Sequence, residues 1–316
     1  MPVPFKNQGS LVAMGVETTF GTSVSTTLAA RFESDSTDLQ TETVYPQLLD
    51  TEAEQSEAVL VASRVVGDMK LPLAYQNGAL GMHLYAALGA RSTSGAGPYT
   101  HTFTTDKDLP SFTREVVHGD STVSQTQLGM RCNTFEMMVD ARSLGELSVS
   151  WLGKGANART TTGTIPAYAG SPYRVKGMHG GTLSFNSATY IISGATLKID
   201  NKLTELAEYG DLGPGDIFID GAREITLTVN LKERSNTLHA AHAAGTTAAL
   251  SLAYTDSPRS LTISGSTVKC VDYSAPLEGK GPIEATVTFR FLADVAGGTK
   301  AISIALVNGD ATYGAS

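Results

Sequence analysis

Residues 221–245 read GAREITLTVNLKERSNTLHAAHAAG. Ile225, Leu227, Val229 and Leu231 alternate with Thr226, Thr228, Asn230 and Lys232, the period-two pattern of a strand with one buried and one wet face. Ser235, Asn236 and Thr237 are helix-capping types, and an Ala/His/Leu run follows them to a terminating Gly245. The stretch predicts a half-buried strand leading directly into a short helix. The same pattern is written earlier. Displaced by 158 positions, Met69, Leu71 and Leu73 fall on Leu227, Val229 and Leu231, and Leu80 falls on Leu238. Asn77 and Gly78 open that earlier helix, and Gly89 closes it.

A second echo runs without a gap at a displacement of 138 positions, placing Cys132 on Cys270, Phe135 on Tyr273, Val149 on Val287 and Trp151 on Phe289. The difference between the displacements implies a longer insertion in the first copy, roughly residues 90–127. Two echoes in the same chain order predict a mainly β protein made of two tandem β-sandwich or barrel units, each with one short α-helix. The first unit spans 1–155 and the second 156–316, with the glycine- and threonine-rich stretch 153–181 as the linker. A length of 316 residues suits two domains, each large enough for its own core.

Charged residues make up only 17% of the chain, and there are 32 glycines, which is the composition of a turn-rich β protein. Two cysteines form no disulfide framework. As repeat equivalents, Cys132 and Cys270 are expected to be separate, buried and free. The first residues, MPVPFKNQGSLV, contain no long apolar stretch of a secretory signal, and the helix candidate at 78–89 is too short to span a bilayer. The expectation is a soluble chain made in the cytoplasm, with no membrane association.

The net charge of −8 is concentrated. Between Arg31 and Arg64 lie Glu33, Asp35, Asp38, Glu42, Asp50, Glu52, Glu54 and Glu57 with no Lys or Arg, and elsewhere acids and bases balance. Nucleic-acid binding by phosphate neutralisation needs clustered bases, so it is disfavoured. Pro46 within the acidic segment suits a long hairpin or an extended arm.

Catalytic signals are weak. His239 and His242 have i, i+3 spacing but no third metal ligand nearby, so they read as polar positions on an alanine helix. Residues 266–269 match S-x-x-K within a strand, without the companion motifs of that chemistry. No phosphate-binding glycine loop, H-E-x-x-H or G-x-S-x-G occurs. The expectation is a protein without catalytic residues, cofactor or metal. Strong alternation on several strands instead leaves sheet edges that invite pairing with another chain.

The chain resembles the tail tube proteins (major tail proteins) of long-tailed bacteriophages. The resemblance is carried by GSLVAMGVETTFGT at 9–22, the strand and helix at 68–89, residues 129–155, and ATLKIDNKLTE at 195–205. It implies a structural virion protein whose rings stack into a hollow tube, assembled in the host cytoplasm, through which DNA passes without specific binding during ejection. It also implies self-contacts within and between rings, and contacts with tape measure, terminator and distal tail proteins. Two units per chain then predict three chains per pseudo-six-fold ring. Under this resemblance the lumen-facing candidates are Glu33, Asp35, Lys70, Thr196, Lys198, Asp200, Thr226, Thr228, Asn230 and Lys232. The inter-ring arm candidates are Glu42, Tyr45, Pro46, Asp50 and Glu52, with a solvated outer loop as the alternative for the acidic segment. Competing readings are a capsid-decoration or fibre component and a β-scaffold glycan-processing enzyme using Asp211 and Asp216.

Overall fold

The computed structural model describes residues 10–46, 57–119, 123–161, 166, 168, 170–232, 236–277 and 281–313. The first half runs β1 (Leu11–Val16), β2 (Leu28–Ala30), β3 (Ser34–Asp35), β4 (Asp38–Val44), β5 (Val59–Pro72), β6 (Ala74–Gln76) and α1 (Leu80–Leu88). It continues with β7 (Gly89–Ser94), β8 (Tyr99–Thr105), β9 (Phe112–Val117), β10 (Val123–Asp140) and β11 (Glu146–Gly153). Short strands β12 (Gly155–Ala156), β13 (Thr160–Thr161) and β14 (Tyr173–Arg174) lead to β15 (Gly180–Phe185), β16 (Ala188–Asp200), β17 (Leu203–Leu206) and β18 (Asp216–Ile219). The last elements are β19 (Glu224–Lys232), α2 (Thr237–Ala243), β20 (Thr247–Asp256), β21 (Arg259–Ser274), β22 (Glu284–Phe291) and β23 (Ser303–Asn308).

Strand pairing repeats between the halves. In the second, antiparallel ladders join β15–β16, β16–β19, β19–β22, β22–β21, β21–β20 and β20–β15, closing a barrel. The first half has the same six pairings: β1–β2, β3–β5, β5–β11, β11–β10, β10–β9 and β9–β1. There the counterpart of the continuous β16 is broken into β2, β3 and the start of β4. Equivalence extends to detail. Cys132 pairs with Trp151 and Phe135 with Val149 around a bulge, as Cys270 pairs with Phe289 and Tyr273 with Val287 around another. Each cysteine Sγ donates to the carbonyl two residues on, in Thr134 and in Asp272. Both cysteines are buried and free.

The structure corrects three expectations. Cross-strand register places Met69 on Val229 rather than Leu227. The slip is two residues, which preserves the inward face because side chains alternate with period two. The extra piece of the first half is chiefly the β7–β8 hairpin, since β9 and early β10 have counterparts in β20 and early β21. The glycine-rich stretch after 153 is woven into the first half, with β12 and β13 on β10 and β14 on β6. Two further ladders cross between halves, β10–β16 and β8–β23, and one hydrophobic core includes residues of both.

Each helix follows its strand as expected. Gly89 ends α1 at φ 97°, a conformation glycine adopts without steric cost. The α1 C-terminal carbonyls are met from the other half: Asn201 Nδ2 donates to Ala87 O at 3.1 Å, and Arg223 Nη1 to Leu88 O at 3.5 Å. Strand β5 stops at Pro72, whose nitrogen cannot donate to a ladder. On α1, His83 is fully buried, with Nδ1 donating to the Ala79 carbonyl at 2.8 Å. Burial pushes this imidazole down from its ordinary value of 6.5 to about 4. The unfolded chain therefore binds the proton more tightly, so the stability tied to neutral His83 is present above pH 6.5 and drains away as pH falls toward 4. The shift corresponds to about 3 kcal/mol at most. Urea titrations at pH 7 and pH 4.5 should show this loss, and His83→Leu should flatten the slope over that interval.

Candidate functional site

The repeated pairings and the β10–β16 ladder build one eight-strand sheet, ordered β3/β4–β5–β11–β10–β16–β19–β22–β21. Period-two alternation divides it cleanly. Met69, Val149, Phe135, Ile199, Leu227 and Phe289 point into the core and are fully buried. The opposite face is mainly polar, with Val66, Met138 and Leu152 among its few apolar members. Of the residues expected to line a lumen, Lys70, Thr196, Lys198, Asp200, Thr226, Thr228, Asn230 and Lys232 all lie on this wet face, exposed or half-buried.

Glu33 and Asp35 do not. Asp35 pairs opposite Met69, and so shares the core-facing parity. Its carboxylate lies 3.0 Å from Arg114 Nη2, with the two side chains 6% and 0% exposed. Glu33 instead pairs with Arg174 at 2.9 Å at the sheet margin. Both were expected to face the lumen, with a solvated outer loop as the alternative; a buried arginine on β9 instead draws Asp35 inward.

The wet face also holds residues that were not singled out: Asp68, Glu136, Asp140, Glu146, Glu224, Asp272 and Glu284, with Arg290. Alternation through Thr134, Glu136, Met138 and Asp140 was the available signal. With Asp200, eight acids on this face stand against Lys70, Lys198, Lys232, Lys269 and Arg290. Several bases are matched by acids: Glu136 sits opposite Lys198, and Glu224 lies 3.4 Å from Lys202 and 3.5 Å from Arg290, while Lys269 faces Arg290 across the β21–β22 ladder.

Two features flank this sheet. The acidic segment is a hairpin, β4 against the first half of β5. It is exposed on both faces and carries Val44, Tyr45, Val59, Leu60 and Val61, each at least 39% exposed. Glu42 lies on β4, Tyr45 and Pro46 lie just beyond it, and Asp50 and Glu52 fall outside the described residues. At the matching place in the second half, between β16 and β19, stands only the short β17–β18 hairpin. The two hairpins touch, Ser63 N donating to Leu212 O at 2.8 Å and Arg64 pairing with Glu205.

The residues considered for chemistry are dispersed. Asp211 binds Lys154 at 2.9 Å and Asp216 binds Arg131 at 3.0 Å, so the two acids serve different bases. His239 and His242 pack on Tyr273, with ring centroids 5.3 and 6.4 Å away. Among the described residues, no group of three His, Cys, Asp or Glu side chains is placed to hold a metal. No helix among them is long and apolar enough to cross a membrane.

The fold is thus a repeated antiparallel barrel with a broad, mainly polar sheet face and projecting hairpins. The family profile described as phage tail tube protein matches residues 7–291, and the chain belongs to that family. It is a structural component of the phage tail tube. No curated protein matches the chain.

Proposed function

We propose that three copies of this chain close into a ring of six barrel-like units, one at 1–155 and one at 156–316 in each copy, and that such rings stack into the tube that conducts DNA during ejection. The observation that carries the reading is the repetition of six strand pairings within one chain of a tail tube family. Three eight-strand sheets joined edge to edge, with strands about 4.8 Å apart and tilted about 40°, make a barrel about 48 Å across its backbone. That leaves a wide bore after side chains are added. Its wall is the polar face bearing Lys70, Thr196, Lys198, Asp200, Thr226, Thr228, Asn230 and Lys232. The excess of acids there disfavours phosphate contacts that would retard a passing duplex.

The β4–β5 hairpin, with Glu42, Tyr45 and Pro46 toward its tip, reaches the adjoining ring. Its exposed valines, leucine and tyrosine supply apolar area that a free monomer would not keep uncovered. Long hairpins then alternate with short β17–β18 hairpins around the ring, so stacking repeats three-fold. Tape measure, terminator and distal tail proteins are the partners expected within and at the ends of such a tube, in a virion tail assembled in the host cytoplasm. Electron microscopy of the purified protein tests the reading. Hollow tubes of constant width with three chains per layer are expected, and six full chains per layer would remove the trimeric ring.

A further inference from the structure

The two ends of the eight-strand sheet differ from its middle in a way the repeat makes interpretable. In the middle, β10 of the first half pairs with β16 of the second, Phe135 opposite Ile199 and Glu136 opposite Lys198. Both Phe135 and Ile199 are fully buried. The counterpart of β10 is the end of β21, and the counterpart of β16 is the β3–β4 edge. Among the described residues, neither of these edges meets a strand on its outer side. Residues buried at the inner seam have exposed equivalents here. Ile199 corresponds to Leu39, which is 38% exposed, and Val139 (3% exposed) to Leu277, which is 84% exposed. A groove of about 750 Å³ runs beside β3, lined by Phe32, Glu33, Ser34 and Asp35 among others.

We propose that the seam within the chain is the template for the seam between chains. The β21 edge of one copy pairs antiparallel with the β3–β4 edge of a second copy, Asp272 facing Gln40, Tyr273 facing Leu39 and Ser274 facing Asp38. Leu277 enters the groove beside β3. The register follows from carrying the observed β10–β16 pairs through the cross-strand equivalences of the two halves. The partner is a second copy because the surface each edge lacks is present, in the pseudo-equivalent place, on the same polypeptide. Contact is head to tail, second half to first half, which closes a ring rather than a two-fold dimer. This inference rests on the ring reading above and specifies its edges.

Asp38→Cys with Ser274→Cys in one chain tests it. The two positions sit at opposite ends of an eight-strand sheet, roughly 30 Å apart, far beyond the reach of an intrachain disulfide. Mild oxidation should link copies into a ladder ending at three chains, while Glu42→Cys with Ser274→Cys, four residues out of register, should link few. Tubes that form in the microscope without the 38–274 link, or that link only through 42–274, overturn the seam. Links without tubes from the unsubstituted protein would keep the seam and remove the tube reading. Leu277→Glu is the independent variant: exposed in the monomer, it should leave thermal unfolding unchanged yet reduce assembly at least tenfold. Undiminished assembly would overturn the proposal.

Discussion

Asp35→Ala is expected to lower the folding free energy by about 3–5 kcal/mol, because it strands a buried guanidinium. Arg114 lies wholly inside the first half, with Nη2 on Asp35 at 3.0 Å and Nη1 donating to Gln127 Oε1 at 2.9 Å. Its guanidinium carbon lies 5.5 Å from the Trp151 ring centroid. Burial drags the guanidinium below its ordinary range, and the carboxylate of Asp35 opposes that drift. Removing the acid leaves the desolvation cost and deletes the compensation. Urea unfolding followed by circular dichroism measures the loss. Asp35→Ala combined with Arg114→Met should be less destabilised than Asp35→Ala alone, since the methionine needs no counter-charge. A loss below about 1 kcal/mol for the single substitution would mean that water reaches Arg114. Since Asp35 belongs to β3, the pair also anchors the root of the projecting hairpin to the barrel.

Trp151→Ala should cost about 3–5 kcal/mol, the usual penalty for emptying an aromatic site in a closed core. The indole is fully buried, edge-on to His83 and Phe112 at centroid distances of 6.0 and 6.1 Å. Trp151→Phe should cost far less, about 1 kcal/mol. Phe289 fills the equivalent position in the second half, packed against Phe185 at 5.0 Å, and among the described residues the indole Nε1 has no hydrogen-bond partner to lose. Thermal and urea unfolding of both variants provide the comparison. Equal losses for Phe and Ala would show that the first half has diverged until only an indole fits.

Much of this architecture was legible because alternation is a local property. The inward set Ile225, Leu227, Val229 and Leu231, and the outward set beside it, follow from period two alone. The displacement of 138 residues was recovered down to the bulge after each cysteine. The displacement of 158 missed the true strand register by one pleat repeat, a slip that alternation cannot detect because it returns every side chain to the same face. The short β17–β18 hairpin went unseen, since Asp211, Gly213, Pro214 and Gly215 read as loop and the strands beside them are only four residues long. Strands β16 and β21 run for 13 and 16 residues. Each is one strand that changes partners along its length.

By itself, then, the sequence determined the β class, the repeated unit, the two short helices and most of the polar sheet face, since each rests on contacts between residues near in the chain or on a pattern copied twice. The tertiary structure alone decided that the halves join through β10 and β16, that β23 returns to β8, and that Asp35 turns inward to Arg114. Those outcomes depend on which edges and charges meet across more than fifty residues of intervening chain. Composition and periodicity carry no record of such meetings, because any strand edge offers the same backbone donors and acceptors until packing selects its partner.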